Sequence, residues 1–277
     1  MMGGNGMALS RARSASSSTR GPPSSCSPPS PQPSASSDRC ARRLRGDPRD
    51  GCGYTPIRVV SSGATGELFE GMAQGNQALA PGAMLLRGFA RAELSGLVAA
   101  LREVTEAAPF RHMTTRGGYG MSVAMTSCGA VGWVTDGTGY RYDPNDPATG
   151  RAWPPMPEAF RLLARRAAAA CGYPGFEPDS CLLNEYTPGS RLSLHRDADE
   201  RDFTQPIVSV SLGLPAVFLF GGLERGDRTT RIRLESGDVV VFGGPARLVY
   251  HGVAPLADGF DPLLGRRRLN FTFRRAR

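Results

Sequence analysis

The chain has 277 residues, 40% of them hydrophobic, with 35 Gly and 23 Pro and a formal net charge of +8. This length suits one sizeable domain or two small ones. No apolar run approaches the ~20 residues that cross a bilayer. The N-terminus also lacks the apolar segment of a secretory signal, so we expect a cytoplasmic protein without membrane contact. The six Cys include no Cys-x-x-Cys pair, which argues against a zinc cage or a disulfide framework.

The positive charge is concentrated at the N-terminus. All 33 basic residues of the chain are Arg, and the first 53 residues carry eight of them against three Asp, a net charge of +5. Ser, Pro and Gly make up most of the rest of this segment, which buries too little apolar surface to offset its ordering entropy. We therefore predict a disordered tail over residues 1–65 and a folded domain over 66–277. An organelle transit peptide is the alternative, although the tail contains no clear amphipathic helix.

Two amphipathic helices are predicted next. Residues 91–107 place one apolar face together: Leu94, Leu97, Val98, Leu101 and Val104. Residues 157–171 begin with Pro157 and end before Gly172, as a helix start and stop require. The stretch between the helices, residues 110–155, is rich in Gly, Pro and aromatic residues and indicates an excursion of strands and loops.

The C-terminal part of the chain has the pattern of short strands separated by turns. Eight candidates follow one another: 181–187, 191–195, 207–213, 216–220, 229–234, 238–242, 247–251 and 267–274. Short antiparallel strands without intervening helices are typical of a sandwich or jelly roll. We predict a mainly β fold with flanking helices, built on a double-stranded β-helix (jelly roll) core over about residues 178–277.

A candidate metal site lies in RLSLHRDADE, residues 191–200, where a strand pattern ends in a His and a cluster of acids. His195 and Asp197 are two positions apart and project to the same side of the strand end. His-x-Asp supplies two ligands of a 2-His-1-carboxylate triad, which leaves three positions open on Fe(II). His251, which ends the predicted strand RLVYH, is the candidate third ligand. Because His-x-Asp often arises by chance, purely structural His residues are the alternative, and His112 is assigned to that class.

The last predicted strand, RLNFTFR, has two different faces. One face carries polar side chains: Arg268, Asn270, Thr272 and Arg274. Two Arg directed into a protein interior are costly unless they meet anions, and a dicarboxylate supplies two carboxylates suited to guanidinium groups. An outward polar face on a terminal strand is the alternative. By the same alternation Asn184 and Tyr186 point together, with Glu185 opposed.

Six co-linear stretches carry a resemblance to a known family: GGYGMSVAMTSCG (117–129), GYRYDPNDPATGRAWPPMP (139–157), NEYTPGSRLSLHRDADE (184–200), PIVSVSLGLPAVFLFGG (206–222), GDVVVFGG (237–244) and YHGVAPL (250–256). With His-x-Asp, the distant His and the C-terminal Arg-x-Asn-x-x-x-Arg, they make residues 79–274 resemble the AlkB family of Fe(II)/2-oxoglutarate-dependent nucleic-acid demethylases. The resemblance implies a jelly-roll dioxygenase domain over residues 66–277, with nucleotide recognition at about 110–155.

The resemblance implies a role for each matching residue. The iron ligands are His195, Asp197 and His251, with no further catalytic residue. The ligands of 2-oxoglutarate are Asn184, Tyr186, Arg268, Asn270 and Arg274, with the two Arg on its carboxylates. The substrate-binding residues are Trp133, Tyr140, Arg141, Tyr142, Asp199 and Arg225. In that set Trp133 and residues 140–142 form the wall on which the base stacks, and Asp199 lies where the family contacts an exocyclic amine.

The implied activity is oxidative demethylation of 1-methyladenine and 3-methylcytosine in DNA, and the sequence leaves open whether RNA is also a substrate. Fe(II) is the implied cofactor, 2-oxoglutarate and O2 are the cosubstrates, and formaldehyde, succinate and CO2 are the products. We expect a monomer that binds single-stranded or flipped-base nucleic acid. Two alternatives stay open: a dioxygenase of the same fold acting on a protein, lipid or small molecule, and a non-enzymatic Arg-rich nucleic-acid-binding protein.

Two positions depart from the family pattern. Glu185 stands where close relatives carry a basic residue, and Phe242 stands where a tryptophan is usual. We expect Glu185 to face away from the iron and to act, if at all, on nucleic-acid affinity. Phe242 keeps an aromatic residue in the core.

Overall fold

The structure, a computed structural model, describes residues 75–277, so the predicted disordered tail lies outside the described residues. In chain order the elements are β1 (Gln77–Ala80), β2 (Ala83–Leu86), α1 (Leu94–Ala107), β3 (Arg111–Thr114), β4 (Gly120–Gly129), β5 (Gly132–Asp136), β6 (Gly139–Asp143), α2 (Glu158–Ala170), β7 (Ser180–Tyr186), β8 (Leu192–His195), β9 (Ile207–Gly213), β10 (Ala216–Phe220), β11 (Thr230–Leu234), β12 (Val239–Phe242), β13 (His251–Val253) and β14 (Arg268–Arg274). Neither α1 nor α2 is long and apolar enough to span a membrane.

The strands form two sheets and a separate hairpin. The larger sheet has the order β1-β2-β12-β9-β14-β7-β4-β3, and the smaller has the order β11-β10-β13-β8. Strands β5 and β6 pair only with each other in the described part of the chain. Four strands of the larger sheet, β12-β9-β14-β7, and the four of the smaller sheet make up the predicted double-stranded β-helix.

Two apolar clusters hold these layers together. The first packs the helices against the outer face of the larger sheet, and Phe160 of α2 lies with its ring centroid 4.7 Å from that of Phe271. The second lies between the two sheets, around the cavity described below, and includes Leu182, Phe218 and Phe242. Each fully buried Leu or Phe contributes roughly 1.5–3 kcal/mol to stability. The site described below is therefore built on strands that are packed from both sides.

Strand β14 shows how the sequence pattern becomes a layered structure. Leu269, Phe271 and Phe273 join the apolar cluster beneath the helices. The alternate residues, from Arg268 to Arg274, face the cavity between the sheets. Since successive side chains of a strand point to opposite faces, one short segment supplies both core and polar site.

Two predicted element boundaries are wrong. The strand predicted at 247–251 does not exist over 247–250, because a short 3-10 turn at Gly244–Ala246, with Pro245 near its start, breaks the extended chain. Strand β13 instead begins at His251, so this His starts its strand and does not end it. Helix α1 begins at Leu94, three residues later than predicted, because residues 91–93 form a 3-10 turn.

The excursion predicted at 110–155 forms β3, β4 and the β5–β6 hairpin. Strand β4 pairs with β7 and so extends the larger sheet. The hairpin is attached at its base by Trp153, whose indole nitrogen donates to the carbonyl of Asp143 at 3.0 Å. Thr135 also donates to the carbonyl of Thr114 at 3.1 Å. These contacts hold the hairpin next to the opening between the sheets.

Candidate active site

The three candidate metal ligands meet at one end of the smaller sheet. His195 ends β8 and His251 begins β13, and the two residues are direct partners in the antiparallel ladder. Asp197 follows two residues after His195. Its carboxylate oxygens lie 3.7 Å from Nε2 of His195 and 3.9 Å from Nε2 of His251. One ligand atom from each residue lies within 4.8 Å of the others, a spacing that accommodates a single metal ion.

Both His rings are held in the orientation that a metal ligand needs. Nδ1 of His195 donates to the carbonyl of Ser193 at 2.9 Å, and Nδ1 of His251 donates to the carbonyl of Val249 at 3.1 Å. A ring whose Nδ1 carries the proton presents the lone pair of Nε2. Such bonds to backbone carbonyls fix both tautomer and ring direction in metal sites. The two Nε2 atoms therefore converge on Asp197 as ligands.

The protonation states also suit metal binding. Burial, followed by the charge of His195, lowers the pKa of His251 to about 4, so this ring is neutral at neutral pH. Burial alone would raise the pKa of Asp197. The Arg274 guanidinium, together with the two His, instead holds that pKa well below its usual range. A neutral imidazole and an ionised carboxylate are the forms that bind a cation.

The pairing of His195 with His251 depends on a close approach of two backbones. A Cβ atom added to Gly252 would lie 2.7 Å from the carbonyl oxygen of Leu192, closer than real Cβ atoms come to their neighbours. Glycine lets β13 lie directly against β8 at this point. The approach brings the ring centroids of the two His to 4.4 Å.

The cavity next to the triad has a volume of about 710 Å³ and is lined by side chains from both sheets and from the β5–β6 hairpin. Its polar lining on the larger sheet includes Asn184, Tyr186, Ser209, Arg268, Asn270, Thr272 and Arg274. The triad also lines it, and Trp133, Tyr140, Asp199 and Arg225 line the cavity from the hairpin and the loops. The structure thus brings all three metal-ligand candidates and all five 2-oxoglutarate candidates into one cavity.

Arg268 is the most unusual group in this cavity. The residue is 1% exposed, and Cζ of its guanidinium lies 4.9 Å from the ring centroid of Tyr186. Nη2 donates to Oγ of Ser211 at 3.1 Å, while Nε and Nη1 have no hydrogen-bond partner among the described residues. Burial lowers the pKa of this guanidinium. Burying a cation with two free donors costs several kcal/mol, and an anion bound to those donors would offset that cost.

Further polar atoms in the same cavity point to the same kind of ligand. Asn270 donates to Ser209 at 2.8 Å and to the carbonyl of Val210 at 3.0 Å, which fixes its amide. Oδ1 of Asn184 and Nη1 of Arg274 are buried without a partner in the described part of the chain. Unpaired donors on two guanidinium groups suit an elongated dianion, and the His-Asp-His donor set suits Fe(II). The residues therefore fit both 2-oxoglutarate and iron.

The stacking residues form one wall of the cavity. The rings of Trp133 and Tyr140 are stacked, with centroids 5.7 Å apart and planes inclined by 21°. The indole nitrogen of Trp133 donates to Asp199 at 2.8 Å, which holds the ring upright. Arg225 lies on the rim with its guanidinium 5.9 Å from the ring centroid of Tyr250. These residues could hold a flat cationic ligand against the wall.

Two residues of the predicted substrate set do not line the cavity. Arg141 alternates to the other face of β6 and binds the carboxylates of Asp136 and Asp143. Tyr142 shares a face with Tyr140 but lies nearer the base of the hairpin. Its hydroxyl is directed to Glu200, to which it donates at 2.5 Å.

Two functional candidates were missed by the sequence analysis. Glu200 and Arg247 are both buried, and Nη2 of Arg247 lies 3.0 Å from Oε2 of Glu200. Glu200 belongs to the acidic cluster DADE, which the sequence analysis noted without assigning a function to this residue. Arg247 had no signal, because its partners lie more than forty residues away in sequence.

Comparisons with known proteins agree with this site. The family model described as the 2OG-Fe(II) oxygenase superfamily matches residues 82–274. The alpha-ketoglutarate-dependent dioxygenase AlkB of Escherichia coli is 54% identical over 210 residues, which cover 76% of this chain and 97% of that protein. The mouse nucleic acid dioxygenase ALKBH1 is 37% identical over 121 residues, 44% of this chain and 31% of its own length. A solved structure of OsALKBH1 superposes with a TM-score of 0.65 at 31% identity, covering 72% of this chain and 99% of that one.

The His-Asp-His centre and the two buried Arg lie on the double-stranded β-helix. All strands of this β-helix, from β7 to β14, fall within the residues that match the family model. The chain belongs to the 2OG-Fe(II) oxygenase superfamily and, within it, is similar to the bacterial AlkB dioxygenases.

Proposed function

We propose that this chain demethylates N-alkylated bases in nucleic acid, with 1-methyladenine and 3-methylcytosine as substrates. It is an Fe(II)- and 2-oxoglutarate-dependent dioxygenase that acts as a monomer on single-stranded DNA or RNA, or on a base flipped out of a duplex. The observation that carries the proposal is a single cavity that joins the His-Asp-His triad, two buried Arg and an aromatic stack. The E. coli relative is named an alpha-ketoglutarate-dependent dioxygenase, and the mouse relative a nucleic acid dioxygenase.

The triad and the two Arg would divide the work of binding. His195, Asp197 and His251 would hold Fe(II) and leave three of its positions open. Arg274, next to Asp197, would bind the carboxylate nearer the metal, and Arg268 the more distant one. When bound, iron and 2-oxoglutarate supply with O2 the oxidising chemistry that converts N-methyl to N-hydroxymethyl, releasing succinate and CO2. The hydroxymethyl group then leaves as formaldehyde.

The aromatic wall explains the choice of substrate. A methyl group on the Watson–Crick edge of adenine N1 or cytosine N3 blocks pairing and fixes a positive charge, so the base leaves the duplex at reduced cost. A cation over Trp133 or Tyr140 gains about 0.5–2 kcal/mol. Asp199 adds a carboxylate at the edge of the same wall, held in place by the Trp133 indole. The wall therefore favours a flat, cationic base over a neutral one.

The test is a reaction on defined oligonucleotides. Oligonucleotides with one 1-methyladenine or 3-methylcytosine are incubated with protein, Fe(II), ascorbate and 2-oxoglutarate. The masses of the bases are then measured by mass spectrometry. We expect loss of the methyl group and one formaldehyde per base repaired. A 5-methylcytosine strand, which is neutral and pairs normally, is the matched control and stays unchanged. Succinate production without any change in the methylated strands would contradict the proposal and would favour a protein or small-molecule substrate.

A further inference from the structure

A buried ionic network lies behind the wall of the cavity, and its centre is Glu200. The side chain of Glu200 is 2% exposed and contacts three partners from three distant parts of the chain. Oε1 accepts from the Tyr142 hydroxyl at 2.5 Å and lies 3.3 Å from Nε of Arg274, while Oε2 accepts from Arg247 at 3.0 Å. Glu200 itself does not line the cavity.

The network fixes the direction of Arg274. Nε and Nη2 of this guanidinium donate to Oδ2 of Asp197 at 2.9 Å and 2.6 Å, and Nε also faces Glu200. The two carboxylates thus occupy one side of the fork. Nη1 is left without a partner among the described residues, on a side chain that lines the cavity. Glu200 and Asp197 together leave the Nη1 donor free for the cavity.

Arg247 holds the loop that carries both acids. Its Nη1 donates to the backbone carbonyl of Asp197 at 2.9 Å, and its Nε donates to the carbonyl of Gln205 at 3.0 Å. The guanidinium also lies 5.3 Å from the ring centroid of Phe203. Since the side chain is 3% exposed, this clamp is screened little by solvent. The loop after β8 is therefore held at both ends.

Tyr142 connects this network to the hairpin that carries the aromatic wall. Tyr142 and Trp133 are direct cross-strand partners in β5 and β6. Trp133 donates to Asp199 and Tyr142 donates to Glu200, so the hairpin is hydrogen-bonded to two consecutive acidic residues. A displacement of the hairpin moves Tyr142 relative to Glu200, and Glu200 touches Arg274.

We propose that Glu200 is a positioning residue that couples the β5–β6 hairpin to Arg274, and thereby links base recognition to cosubstrate binding. The link to base recognition rests on the proposed function. The positioning of the Arg274 guanidinium by Glu200 does not depend on it. The Tyr142 hydroxyl is one support of Glu200, Arg247 is the other, and Arg274 is the group they position. Because linkage is reciprocal, a ligand on the aromatic wall that holds the hairpin in this position also tightens cosubstrate binding.

The test measures 2-oxoglutarate binding directly, by calorimetry on protein loaded with Mn(II) under anaerobic conditions, so no turnover is needed. We expect Tyr142→Phe to raise the dissociation constant about fivefold, equivalent to about 1 kcal/mol, although this residue lies outside the cavity. Tyr173→Phe is the matched control, because it removes one hydroxyl that donates to the Gly82 carbonyl elsewhere in the fold. It should leave the constant unchanged.

Glu200→Gln and the double variant complete the cycle. If both residues act through Arg274, Tyr142→Phe adds nothing in a Glu200→Gln background, whereas independent effects multiply. Thermal melting shows whether the Glu200→Gln protein folds. If it does not fold, the dissociation constant of Tyr142→Phe protein alone tests whether the network positions Arg274. An unchanged dissociation constant in folded Tyr142→Phe protein would overturn the inference.

A second arm separates this inference from the proposed function. The same titration is repeated with a 1-methyladenine strand present, and demethylation by wild-type protein is measured in parallel. Tighter 2-oxoglutarate binding in wild-type protein, lost in Tyr142→Phe, is the expected result. Equal affinity with and without the strand, in a wild-type enzyme that does demethylate it, overturns the link to base recognition. A wild-type enzyme that leaves the strand methylated overturns the proposed function instead, and the first arm still decides whether Tyr142 and Glu200 position Arg274.

Discussion

Arg268 and Arg274 occupy the two ends of β14, face the same cavity and are almost equally buried, yet their surroundings are opposite. Arg274 lies between the carboxylates of Asp197 and Glu200, which raise its pKa although burial alone would lower it. Arg268 has one hydroxyl and an aromatic ring, and burial lowers its pKa. One Arg is therefore compensated by carboxylates of the protein, while the other has no carboxylate partner among the described residues. The comparison therefore contrasts a buried charge that is paired within the protein with one that is not, on a single strand.

The strongest way to break this comparison is Asp197→Ala. The substitution removes a metal ligand and one partner of Arg274, so we expect iron-dependent turnover to be abolished. Stability should fall by about 3 kcal/mol, since a buried charge loses part of its compensation. Turnover of the iron-loaded protein measures the first effect, and urea denaturation of the metal-free protein measures the second. Asp202→Ala, on the same loop but more exposed, is the control and should retain both. Full turnover by purified, iron-loaded Asp197→Ala protein would refute the ligand assignment.

Replacing each Arg by Met sharpens the comparison. Arg274→Met leaves Asp197 without its cation and should cost the unliganded protein about 3 kcal/mol. Arg268→Met removes a buried charge that has no countercharge, so stability should stay level or rise by about 1 kcal/mol. Both variants should bind 2-oxoglutarate much more weakly. Denaturant unfolding of the two proteins side by side is the measurement. Equal destabilisation by both would show that Arg268 also has a compensating partner within the protein.

The ligand dependence of Arg268 predicts a thermal effect of smaller size. 2-Oxoglutarate at 100 times its dissociation constant should stabilise metal-loaded protein by about 2.7 kcal/mol. The shift in melting temperature should vanish in Arg268→Met and persist in Tyr173→Phe. Glutarate, a dicarboxylate of the same length that lacks only the keto oxygen, is the matched ligand control and should give a smaller shift. An undiminished shift in Arg268→Met would place the cosubstrate elsewhere.

A third Arg, exposed on the rim, gives the smallest effect. Arg225→Gln should not change stability, because surface charges contribute little. It should weaken oligonucleotide binding at low salt and lower the slope of log affinity against log salt by about one, as expected for one lost phosphate contact. Fluorescence anisotropy at several salt concentrations measures the slope. An unchanged slope would mean that Arg225 is directed to Tyr250 alone.

Alternation along single strands predicted part of the fold and part of the cavity lining, whereas the base-recognition residues and the full set of 2-oxoglutarate ligands were expected from the family resemblance. The period of two in RLNFTFR separated the polar face from the apolar one, and the His-x-Asp spacing placed two ligands together. The direction of Arg274 could not be predicted in this way, because Glu200 lies 74 positions away along the chain and the two meet only in the folded sheet. Tyr142 was assigned to the wall by the resemblance, and its neighbours in β6 gave no sign of its bond to Glu200.

The two departures from the family pattern have simple structural settings. Glu185 lies opposite the cavity side of β7 and forms an ion pair with Arg267 at 2.9 Å, away from the metal triad. Its effect on nucleic-acid affinity stays a prediction. Phe242 is fully buried, and its ring centroid lies 5.1 Å from that of His251 in an edge-on arrangement. An aromatic residue at this position thus packs against the ring of a candidate metal ligand.

Gly252 gives the metal centre an unusual vulnerability. Its backbone touches that of Leu192 so closely that one added methyl group has no room. Substitution by alanine, the mildest change the genetic code can make there, would wedge two neighbouring strands apart and separate the imidazoles that face each other across them. A catalytic centre can therefore be disabled without altering any group that performs chemistry, and screens that scan only ligands and charges would overlook the position.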